Sequence, residues 1–346
     1  MRTLVINTAA SEGGALSVLT DFVDYLKEND KSNEWLFLLS DFHFEETENI
    51  KIIVNEKLKN KINRLKFDYY LGRKLIRKYK PDVIFNMQNT AVRKLKMPQV
   101  LYLHQALPFQ KAKRFSFLKK DERNYAVLQY VLGKIIKNGL KHTQRIIVQA
   151  EWMKESVMKE GITEEKIDVI PPTTNIPVLK KYNNYQMDNF FYPTSDFIYK
   201  NIEILEDAAE LINELPFNID ITIKRKFANK HLNSIGYISR KEVFQKYNHS
   251  VLVFPSIIET YGMPLMEAKH NNSVIIAADT VFAREILKDY NNAYFFPSDN
   301  PSELSELMRR CILGTIVRKK NEDIKITNNS WCKVVEVIES ECTENK

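Results

Sequence analysis

The feature that most constrains the fold is the alternation of short apolar segments with longer amphipathic segments through both halves of the chain. Thr3–Asn7 has the composition of a buried strand, and Gly14–Glu28 carries apolar residues at helical spacing. Strands that alternate with helices predict a parallel sheet covered by helices on both faces. Right-handed crossovers then give a doubly wound domain, and the repeat of the pattern predicts two such domains.

The two predicted domains comprise residues 1–180 and 187–328, joined by a polar, proline-containing linker at 175–188. A last amphipathic helix in residues 329–346 is expected to cross back to the first domain. The predicted strands are Thr3–Asn7, Glu34–Leu39, Lys51–Val54, Asp82–Phe85, Gln99–Leu103, Arg145–Val148, Ile167–Ile170, Phe190–Tyr192, Asp220–Ile223, Val251–Phe254, Ser273–Ala277 and Ala293–Phe296. Two such domains are expected to face a cleft, with ligands outside the carboxyl ends of the strands.

Charge is unevenly distributed along the sequence. Residues 1–180 hold 31 Lys/Arg and 21 Asp/Glu, whereas the remaining residues hold 20 and 23. A basic half suits nucleic acid, an anionic membrane or a phosphate-bearing substrate, although solvated lysines on helix faces give the same balance. No nucleic-acid recognition motif accompanies this charge, so we expect no nucleic-acid partner.

The sequence carries no targeting signal that we can identify. The N-terminal residues lack the apolar core of a secretory signal, and no apolar run reaches the roughly 18 residues of a membrane helix. The three cysteines (Cys311, Cys332 and Cys342) are odd in number and widely spaced, which indicates neither a disulfide framework nor a metal site. We therefore expect a cytoplasmic protein.

The segment 254–268 carries the most chemical information. Gly262 permits a close backbone approach or a positive φ, and Pro264 stands where the first helical residue is expected. The free N–H groups and the dipole of a helix start bind anions. Glu259 in the loop and Glu267 in the first helical turn then bring two carboxylates to that anion site, which suits a sugar diphosphate. The same residues fit a plainer interpretation, with Glu267 complementing the helix dipole and Glu259 on the surface.

The whole phrase resembles a known signature. Glu259 and Glu267 are separated by seven residues, and the pattern is similar to the Glu-x7-Glu signature of retaining glycosyltransferases of family 4. That family has the GT-B fold, an α/β architecture of two doubly wound Rossmann-like domains facing a cleft. The resemblance implies that Glu259 contacts the donor sugar and that Glu267 contacts the nucleotide ribose. It also implies that the intervening segment reaches the sugar and the phosphate through Tyr261, Gly262, Met263, Pro264 and Leu265.

Two segments of the first half extend the resemblance. The pair Gly13-Gly14 follows the first strand and opens a helix, like the family's glycine pair whose amides face the donor diphosphate. A tight turn would use the same two glycines. His104 follows the predicted strand Gln99–Leu103 and resembles the family's strand-end histidine, which implies a catalytic role near the donor sugar. A lone histidine is also common as a structural residue.

The start of the second domain matches the family only in part. Lys200 resembles the family's lysine on the donor diphosphate, but Thr194 or Ser195 stands where the family has an arginine. This departure leaves phosphate binding one charge short. Lys224 or Arg225 is a candidate replacement, although a solvated basic turn fits these residues equally well.

A further segment resembles the family's nucleobase site. Tyr237 and Ile238 stand before a predicted helix, where the backbone of family members receives the base. With the preceding segments, the resemblance covers most of the chain, from Asn7 to about Leu313.

The expected chemistry uses a nucleotide-diphosphate sugar as substrate and no cofactor. The sequence has no Asp-x-Asp, so we expect no metal. The resemblance implies retention at the anomeric carbon, with the leaving phosphate oxygen taking the acceptor's proton. Lys200, the Gly13-Gly14 amides and the helix start at Pro264 are expected to stabilise the leaving group.

The expected acceptor is a glycan or a lipid-diphosphate-linked glycan. Lys111–Lys120 mixes five basic residues with aromatic and aliphatic ones, and the helix around Arg73–Lys80 adds further positive charge. Such surfaces suit an anionic membrane, which would make the protein peripheral on the inner face of the cell membrane. A solubilising surface has the same composition. His104–Phe109, with Met87–Thr90 upstream, resembles bacterial capsule or O-antigen glycosyltransferases.

Two other functions fit the same fold. A sugar-nucleotide epimerase would bind the same donor without an acceptor, although we find no acid/base carboxylates to assign to it. A non-catalytic nucleotide-sugar-binding relative is the second alternative, because the family's loop arginine is absent near Thr194.

Overall fold

The computed structural model describes residues 1–10, 13–173, 185–321 and 330–343, with the backbone alone for residues 13–15. The chain divides into two compact units. Unit 1 comprises Met1–Gln110, Phe115–Thr173 and Asn329–Lys346, and unit 2 comprises Lys111–Arg114 and Thr174–Asn328. Of the predicted linker, residues 175–184 lie outside the described residues.

Unit 1 contains a parallel sheet of seven strands. They are β1 (Arg2–Asn7), β2 (Glu34–Leu39), β3 (Ile50–Val54), β4 (Val83–Asn86), β5 (Gln99–Leu103), β6 (Arg145–Val148) and β7 (Ile167–Val169). Their order in the sheet is β3-β2-β1-β4-β5-β6-β7, so the strand order reverses between β1 and β4. In a doubly wound sheet the loops separate at this reversal and leave a crevice at the carboxyl ends of the strands.

The helices that cover this sheet are α1 (Gly13–Asn29), α2 (Lys61–Lys66), α3 (Gly72–Tyr79), α4 (Arg123–Ala126), α5 (Gly133–Leu140) and α6 (Glu151–Met158). A π-helical turn, Phe67–Leu71, joins α2 to α3, and a second one, Val127–Leu132, joins α4 to α5. The first of these helical stretches extends well before the basic residues Arg73–Lys80 that indicated a helix in the sequence. The helix begins at Lys61 because the side chain of Asn60 accepts hydrogen bonds from the backbone N–H groups of its first turn.

The C-terminal helix, Ser330–Thr343, belongs to unit 1. Its Val334 and Ile338 are buried in the same core as the α1 residue Phe22. The rings of Trp331 and Phe22 lie 4.8 Å apart between centroids. The apolar stripe of this helix therefore completes the core of unit 1.

Unit 2 contains a parallel sheet of six strands. They are β8 (Gln186–Tyr192), β9 (Asn218–Ile221), β10 (Leu232–Ser234), β11 (Ser250–Phe254), β12 (Ile275–Ala278) and β13 (Ala293–Phe296). The order is β10-β9-β8-β11-β12-β13, with the reversal between β8 and β11. The accompanying helices are α7 (Glu203–Glu210), α8 (Arg240–His249), α9 (Met263–His270), α10 (Val281–Ile286) and α11 (Pro301–Ile312).

Both sheets confirm the predicted doubly wound α/β class. The sequence missed β10, an edge strand in which only Leu232 is buried while Asn233 and Ser234 are exposed. Because an edge strand of three residues needs no apolar run, its sequence gives no strand pattern. None of the described helices is long and apolar enough to cross a bilayer.

Candidate functional site

The first group of predicted site residues meets at the strand-order reversal of unit 2. The loop after β8 carries Lys200, and the loop after β11 carries Glu259. The Nζ of Lys200 lies 2.5 Å from Oε1 of Glu259, and both side chains are mostly buried, at 15% and 17% exposed. The hydroxyl of Ser256 donates to the same carboxylate oxygen at 2.7 Å. A cation and a carboxylate are thus held together where a doubly wound sheet binds its ligand.

Backbone and side-chain bonds fix these two loops against each other. The N–H of Ile257 donates to the carbonyl of Tyr199 at 3.0 Å, and the hydroxyl of Tyr192 donates to the carbonyl of Lys200 at 2.9 Å. Asn201 follows in the left-handed region, with φ 55°, and its amide donates to the carbonyl of Ser298. The position of the Lys200 ammonium is therefore set before any ligand binds.

The second carboxylate of the motif, Glu267, lies deeper. It is 6% exposed, and its two oxygens contact Nη2 of Arg240 at 2.9 Å and the hydroxyl of Tyr247 at 3.1 Å. Burial raises the pKa of Glu267, while the charge of Arg240 and the two hydrogen bonds oppose that rise. Such a carboxylate has a fixed orientation, as a group that recognises a diol requires.

The start of α9 differs from the predicted one. Gly262 is the N-cap, with φ 89°, so Met263 is the first helical residue and Pro264 the second. Glu267 is consequently the fifth residue and lies beyond the first turn, which holds no acidic residue. Only glycine adopts this φ without strain, and a Cβ at this position would stand 3.3 Å from Cδ1 of Leu265. The glycine therefore turns the chain directly into the helix.

The other predicted residues of this segment differ in what they can offer a ligand. The side chains of Tyr261 and Leu265 are buried, and burial raises the pKa of Tyr261 to about 12. Met263 and Pro264 are half-buried. Pro264 has no N–H, and the N–H groups of Leu265 and Met266 donate to the carbonyl of Gly262 at 2.9 and 3.4 Å. Of the first-turn residues, Met263 is therefore the one whose N–H is suited to bind phosphate.

The loop that lacks the family's arginine is well ordered by neutral groups. The N–H of Thr194 donates to Oγ1 of Thr222 at 2.7 Å, and that hydroxyl donates back to the carbonyl of Thr194 at 2.9 Å. Ser195 is exposed, and its carbonyl accepts the N–H of Phe197. This loop shapes the backbone and contributes no positive charge ahead of Lys200.

The two candidate replacements for the missing arginine are placed differently. Arg225 forms an ion pair with Glu203 at 3.0 Å and lies 3.9 Å from carboxylate oxygens of both Glu206 and Asp196. These three carboxylates offset its charge. Lys224 is exposed, and its aliphatic chain runs past the α-carbon of Gly236.

Arg240 is a cation of this site that sequence reasoning missed. Ser239 caps α8 in a complete capping box with Glu242, and this places Arg240 at the first helical position. Directly before the cap, Tyr237 is 90% exposed and Ile238 is half-buried. The Ser-x-x-Glu pattern could have predicted the helix start, but only the fold brings Arg240 to Glu267.

In unit 1, His104 lies at the carboxyl end of β5 and is bound twice by Asn89. The backbone N–H of His104 donates to Oδ1 of Asn89 at 2.7 Å, and Nδ2 of Asn89 lies 3.1 Å from Nε2 of the ring. Because a backbone N–H can only donate, the orientation of the amide is fixed, and its Nδ2 donates to Nε2. The ring proton of a neutral imidazole then lies on Nδ1, a buried atom with no hydrogen-bond partner among the described residues.

Burial lowers the pKa of His104 to about 4. The imidazole is therefore neutral at physiological pH. The glycine pair Gly13-Gly14 forms the first two residues of α1, and residues 11 and 12 before it lie outside the described residues.

An exposed apolar turn of unit 1 lies in the second half of the predicted basic segment Lys111–Lys120. Leu118 is 89% exposed and Phe117 is also exposed. The buried carboxylate of Glu122 accepts the N–H of Ser116 at 2.8 Å, and Nε of Arg123 donates to the carbonyl of Phe117 at 3.0 Å. The turn is thus held in one conformation with its apolar side chains outward.

Two family models match the chain. The model described as Glycosyltransferase Family 4 matches residues 12–176, and the model described as Glycosyl transferases group 1 matches residues 218–329. Together with the two doubly wound sheets, these matches define the GT-B class of glycosyltransferases. The chain belongs to the family 4-like group of that class.

Similar proteins include one curated relative. The O-antigen chain mannosyltransferase RfbU of Salmonella typhimurium is 24% identical over 185 residues, which covers 49% of this chain and 51% of that protein. The chain thus spans about half the length of the curated relative it matches.

Solved structures of low identity share the fold over the whole chain. WaaG, described as a glycosyltransferase involved in lipopolysaccharide biosynthesis, superposes with a TM-score of 0.68 at 12% identity, covering 98% of this chain and 99% of that one. HepE from Anabaena in complex with UDP-glucose superposes with a TM-score of 0.60 at 15% identity, covering 100% and 98%.

Proposed function

We propose that this protein is a retaining glycosyltransferase, a hexosyl- or related transferase. It moves a sugar from a nucleotide-diphosphate sugar to a glycan or lipid-linked acceptor in surface-polysaccharide synthesis. The observation that carries the proposal is the contact of 2.5 Å between Lys200 and Glu259 at the strand reversal of unit 2. Glu259 is the first glutamate of the Glu-x7-Glu signature. The presence of UDP-glucose on HepE supports a nucleotide-sugar donor, and the names of RfbU and WaaG support a surface-polysaccharide acceptor.

The donor diphosphate is assigned to the groups that offer positive potential. Lys200 supplies a full charge, and the N–H of Met263 at the start of α9 supplies a backbone donor. No metal takes part in this mechanism. Preorganised donors of this kind stabilise the charge that develops on the leaving diphosphate.

The transfer step needs no protein base. The bond between the anomeric carbon and the diphosphate oxygen breaks, and the bond to the acceptor oxygen forms on the same face. The proton of the acceptor hydroxyl passes to the departing phosphate oxygen. Glu259 holds hydroxyl groups of the donor sugar. His104 of unit 1 is assigned to a bound sugar as a neutral imidazole, so it takes up no proton in the step.

Glu267 is assigned to the ribose diol. Its two oxygens are oriented by Arg240 and by Tyr247, so that the carboxylate does not have to reorganise when a nucleotide binds. Arg240 also supplies positive charge to this half of the site, in which Arg225 is offset by its own carboxylates. The exposed ring of Tyr237 and the backbone at Ile238 are assigned to the nucleobase.

The first experiment measures nucleotide binding by thermal shift with UDP, GDP, ADP, CMP and dTDP in EDTA. One nucleotide is expected to raise Tm in proportion to the logarithm of its concentration. Glu267→Gln should weaken that shift. Glu341→Gln is the matched control, because Glu341 is also buried and lies near an arginine, 3.7 Å from Arg145 of unit 1. If no nucleotide shifts Tm, the proposed donor site is wrong.

A second experiment separates transfer from epimerisation. The donor identified by binding is incubated with and without a polyprenyl-diphosphate-linked glycan, and products are followed by NMR. Transfer predicts nucleotide release that depends on the acceptor, and a product with the donor's anomeric configuration. Inversion would contradict the retaining mechanism. An isomerised donor in the absence of acceptor would identify an epimerase, and binding without any reaction would identify a non-catalytic relative.

We also propose that the turn at Phe117 and Leu118 meets an anionic membrane, which places the protein peripherally on the inner face of the cell membrane. The turn is apolar and is flanked by lysines, as a surface for anionic lipid requires. Sedimentation with phosphatidylglycerol vesicles at low salt should capture the protein, and Leu118→Ser should reduce capture. Val281→Ser, which removes an exposed apolar residue of unit 2, is the control. Equal capture by neutral phosphatidylcholine vesicles would contradict the electrostatic part.

A further inference from the structure

A buried polar cluster lies at the strand-order reversal of unit 1, apart from the residues assigned above. Its centre is the carboxyl group of Asp68, which is 3% exposed and lies in the π-helical turn between α2 and α3. The hydroxyl of Thr90 donates to Oδ2 at 2.7 Å, and Nε2 of Gln88 donates to Oδ1 at 3.2 Å. Single π-helical turns are costly interruptions that occur frequently at functional sites.

Gln88 connects this carboxylate to the loop after β1. Its Oε1 accepts the backbone N–H of Thr8 at 3.3 Å and the hydroxyl of Thr8 at 2.7 Å. Because the N–H of Thr8 can only donate, the amide must turn its oxygen to Thr8 and its nitrogen to Asp68. Arg64 adds a bond from Nη1 to the carbonyl of Thr8 at 3.2 Å. Thr8 is the first residue of the segment that leads to Gly13.

The same short segment also holds the candidate histidine. Asn89 lies between Gln88 and Thr90, and its backbone is in the left-handed region with φ 65°. Its side chain makes both bonds to His104 described above. The segment Gln88–Thr90 therefore touches Asp68 on one side, Thr8 on another and His104 on a third.

Burying a carboxyl group without a directly bonded cation is unfavourable for folding. Burial raises the pKa of Asp68 to about 7, although hydrogen bonds from Thr90 and Gln88 and the charges of Arg64 and Arg93 oppose this rise. Arg64 faces the group from α2, and Arg93 from the loop after β4. A core that needed only packing would place an apolar residue or an amide here, so the carboxyl group calls for a functional reason.

We propose that Asp68 is a positioning residue: its ionised carboxylate fixes the segment Gln88–Thr90, and this segment sets both Thr8, directly after β1, and the ring of His104. The proposal rests on the proposed function for its effect on transfer. Both carboxylate oxygens act as acceptors in the observed network, which is the pattern of the ionised form. A proton on either oxygen removes one acceptor and loosens the segment.

Titration of Asp68 should affect sugar transfer and protein stability in opposite directions. Transfer should decline as pH falls through about 7, since protonation of Asp68 releases the segment. His104 cannot cause this decline, because its own pKa is lowered to about 4. Stability should change in the opposite direction. The pKa of Asp68 is higher in the folded than in the unfolded chain, so its contribution falls as pH rises from about 4 to about 7.

The test compares Asp68→Asn with the wild type between pH 5.5 and 9. The acid decline of kcat/KM should disappear in the variant, and its activity at pH 8.5 should be about tenfold lower, because a misplaced site loses reactive geometry. Its Tm at pH 8.5 should not fall. Asp30→Asn is the control: Asp30 is also buried, and its carboxylate accepts from Asn33 and Trp35. That variant should lose Tm and keep the acid decline. An unchanged pH profile in Asp68→Asn overturns the proposal.

Thr90→Val provides a second variant that keeps the carboxyl group. Removing the hydroxyl that stabilises the carboxylate should raise the pKa of Asp68 and move the acid decline to higher pH. An unmoved midpoint would contradict the proposed network.

A spectroscopic readout makes the inference independent of turnover. The ring carbons of His104, assigned by comparison with His104→Asn, should show a shift step near pH 7 in the wild type and no step in Asp68→Asn. If the wild type shows this step but transfers no sugar, the proposed function fails while the network stands. If it transfers sugar without the step, the network inference fails.

Discussion

The two units place their candidate residues at equivalent positions of similar sheets, yet they treat charge in opposite ways. In unit 2, Glu259 and Glu267 each contact a cation, Lys200 or Arg240. In unit 1, the corresponding region holds a neutral imidazole and a buried carboxyl group whose direct partners are neutral donors. The candidate carboxylates of unit 2 are thus balanced by cations, whereas the buried carboxyl group of unit 1 is balanced by neutral hydrogen-bond donors.

The largest effect should come from breaking the charge pair of unit 2. Lys200→Ala removes the ammonium group assigned to the donor diphosphate and leaves Glu259 without its cation. The value of kcat/KM for transfer should therefore fall about 10²–10³-fold. Steady-state kinetics on the identified donor measure this loss. Lys226→Ala, an exposed lysine of the same unit, is the control and should stay near the wild type. A loss below tenfold would remove the distinction between the units.

The next effect concerns the backbone that begins α9. Gly262→Ala places a residue with a Cβ in the left-handed backbone region and brings that Cβ to 3.3 Å from Cδ1 of Leu265. The variant should therefore lose about 1–3 kcal/mol of stability. Nucleotide affinity should fall with it, because the start of α9 and the N–H of Met263 shift. Urea unfolding and calorimetric titration measure the two quantities. Gly161→Ala is the comparison: it has the same left-handed strain but no neighbour within 4 Å. Equal behaviour of the two variants would refute a role for the close approach.

A smaller effect tests the pair inside the ribose site. Arg240→Ala should raise the pKa of Glu267 further, because the cation that opposes the effect of burial is gone. Nucleotide binding should weaken roughly tenfold, and its decline at low pH should begin at higher pH than in the wild type. Titration calorimetry between pH 5 and 8 shows both changes. Arg240→Lys should restore part of the affinity, and failure of this rescue would argue for a role of the fork geometry over charge alone.

The smallest effect is expected in unit 1. His104→Gln keeps a neutral hydrogen-bonding side chain, so activity should fall only by the value of one neutral hydrogen bond, about 0.5–1.5 kcal/mol. The shape of the pH profile should not change, because the pKa of His104 is about 4 and the ring is already neutral across the range. A new or lost ionisation between pH 5.5 and 8 would contradict the neutral-imidazole assignment. A loss larger than that of Lys200→Ala would reverse the comparison between the units.

Most of the fold was predictable from the sequence. Apolar periodicity predicted the strands from β1 to β13 except β10, whose three residues carry no apolar run. The preference of proline for helix starts placed the first residue of α9 at Pro264, one position late. The capping role of Gly262 depends on a backbone angle that the residue type permits but does not dictate. The sequence assigned Lys200 and Glu259 to the same nucleotide-sugar donor but gave no reason to expect that they touch. The structure adds their direct contact.

The sequence by itself determined what is local. The doubly wound class follows from alternating periodicities, and the Glu259–Glu267 frame is one continuous segment whose spacing needs no tertiary information. Only the tertiary structure decided the cluster around Asp68, which joins residues 20 and 80 positions apart in sequence, and the meeting of Arg240 with Glu267. The physical reason is that a hydrogen bond forms only when the donor–acceptor distance lies within a few tenths of an ångström of its optimum. The sequence specifies which side chains can donate or accept a hydrogen bond. The packing of the sheet and its helices decides which of these side chains meet.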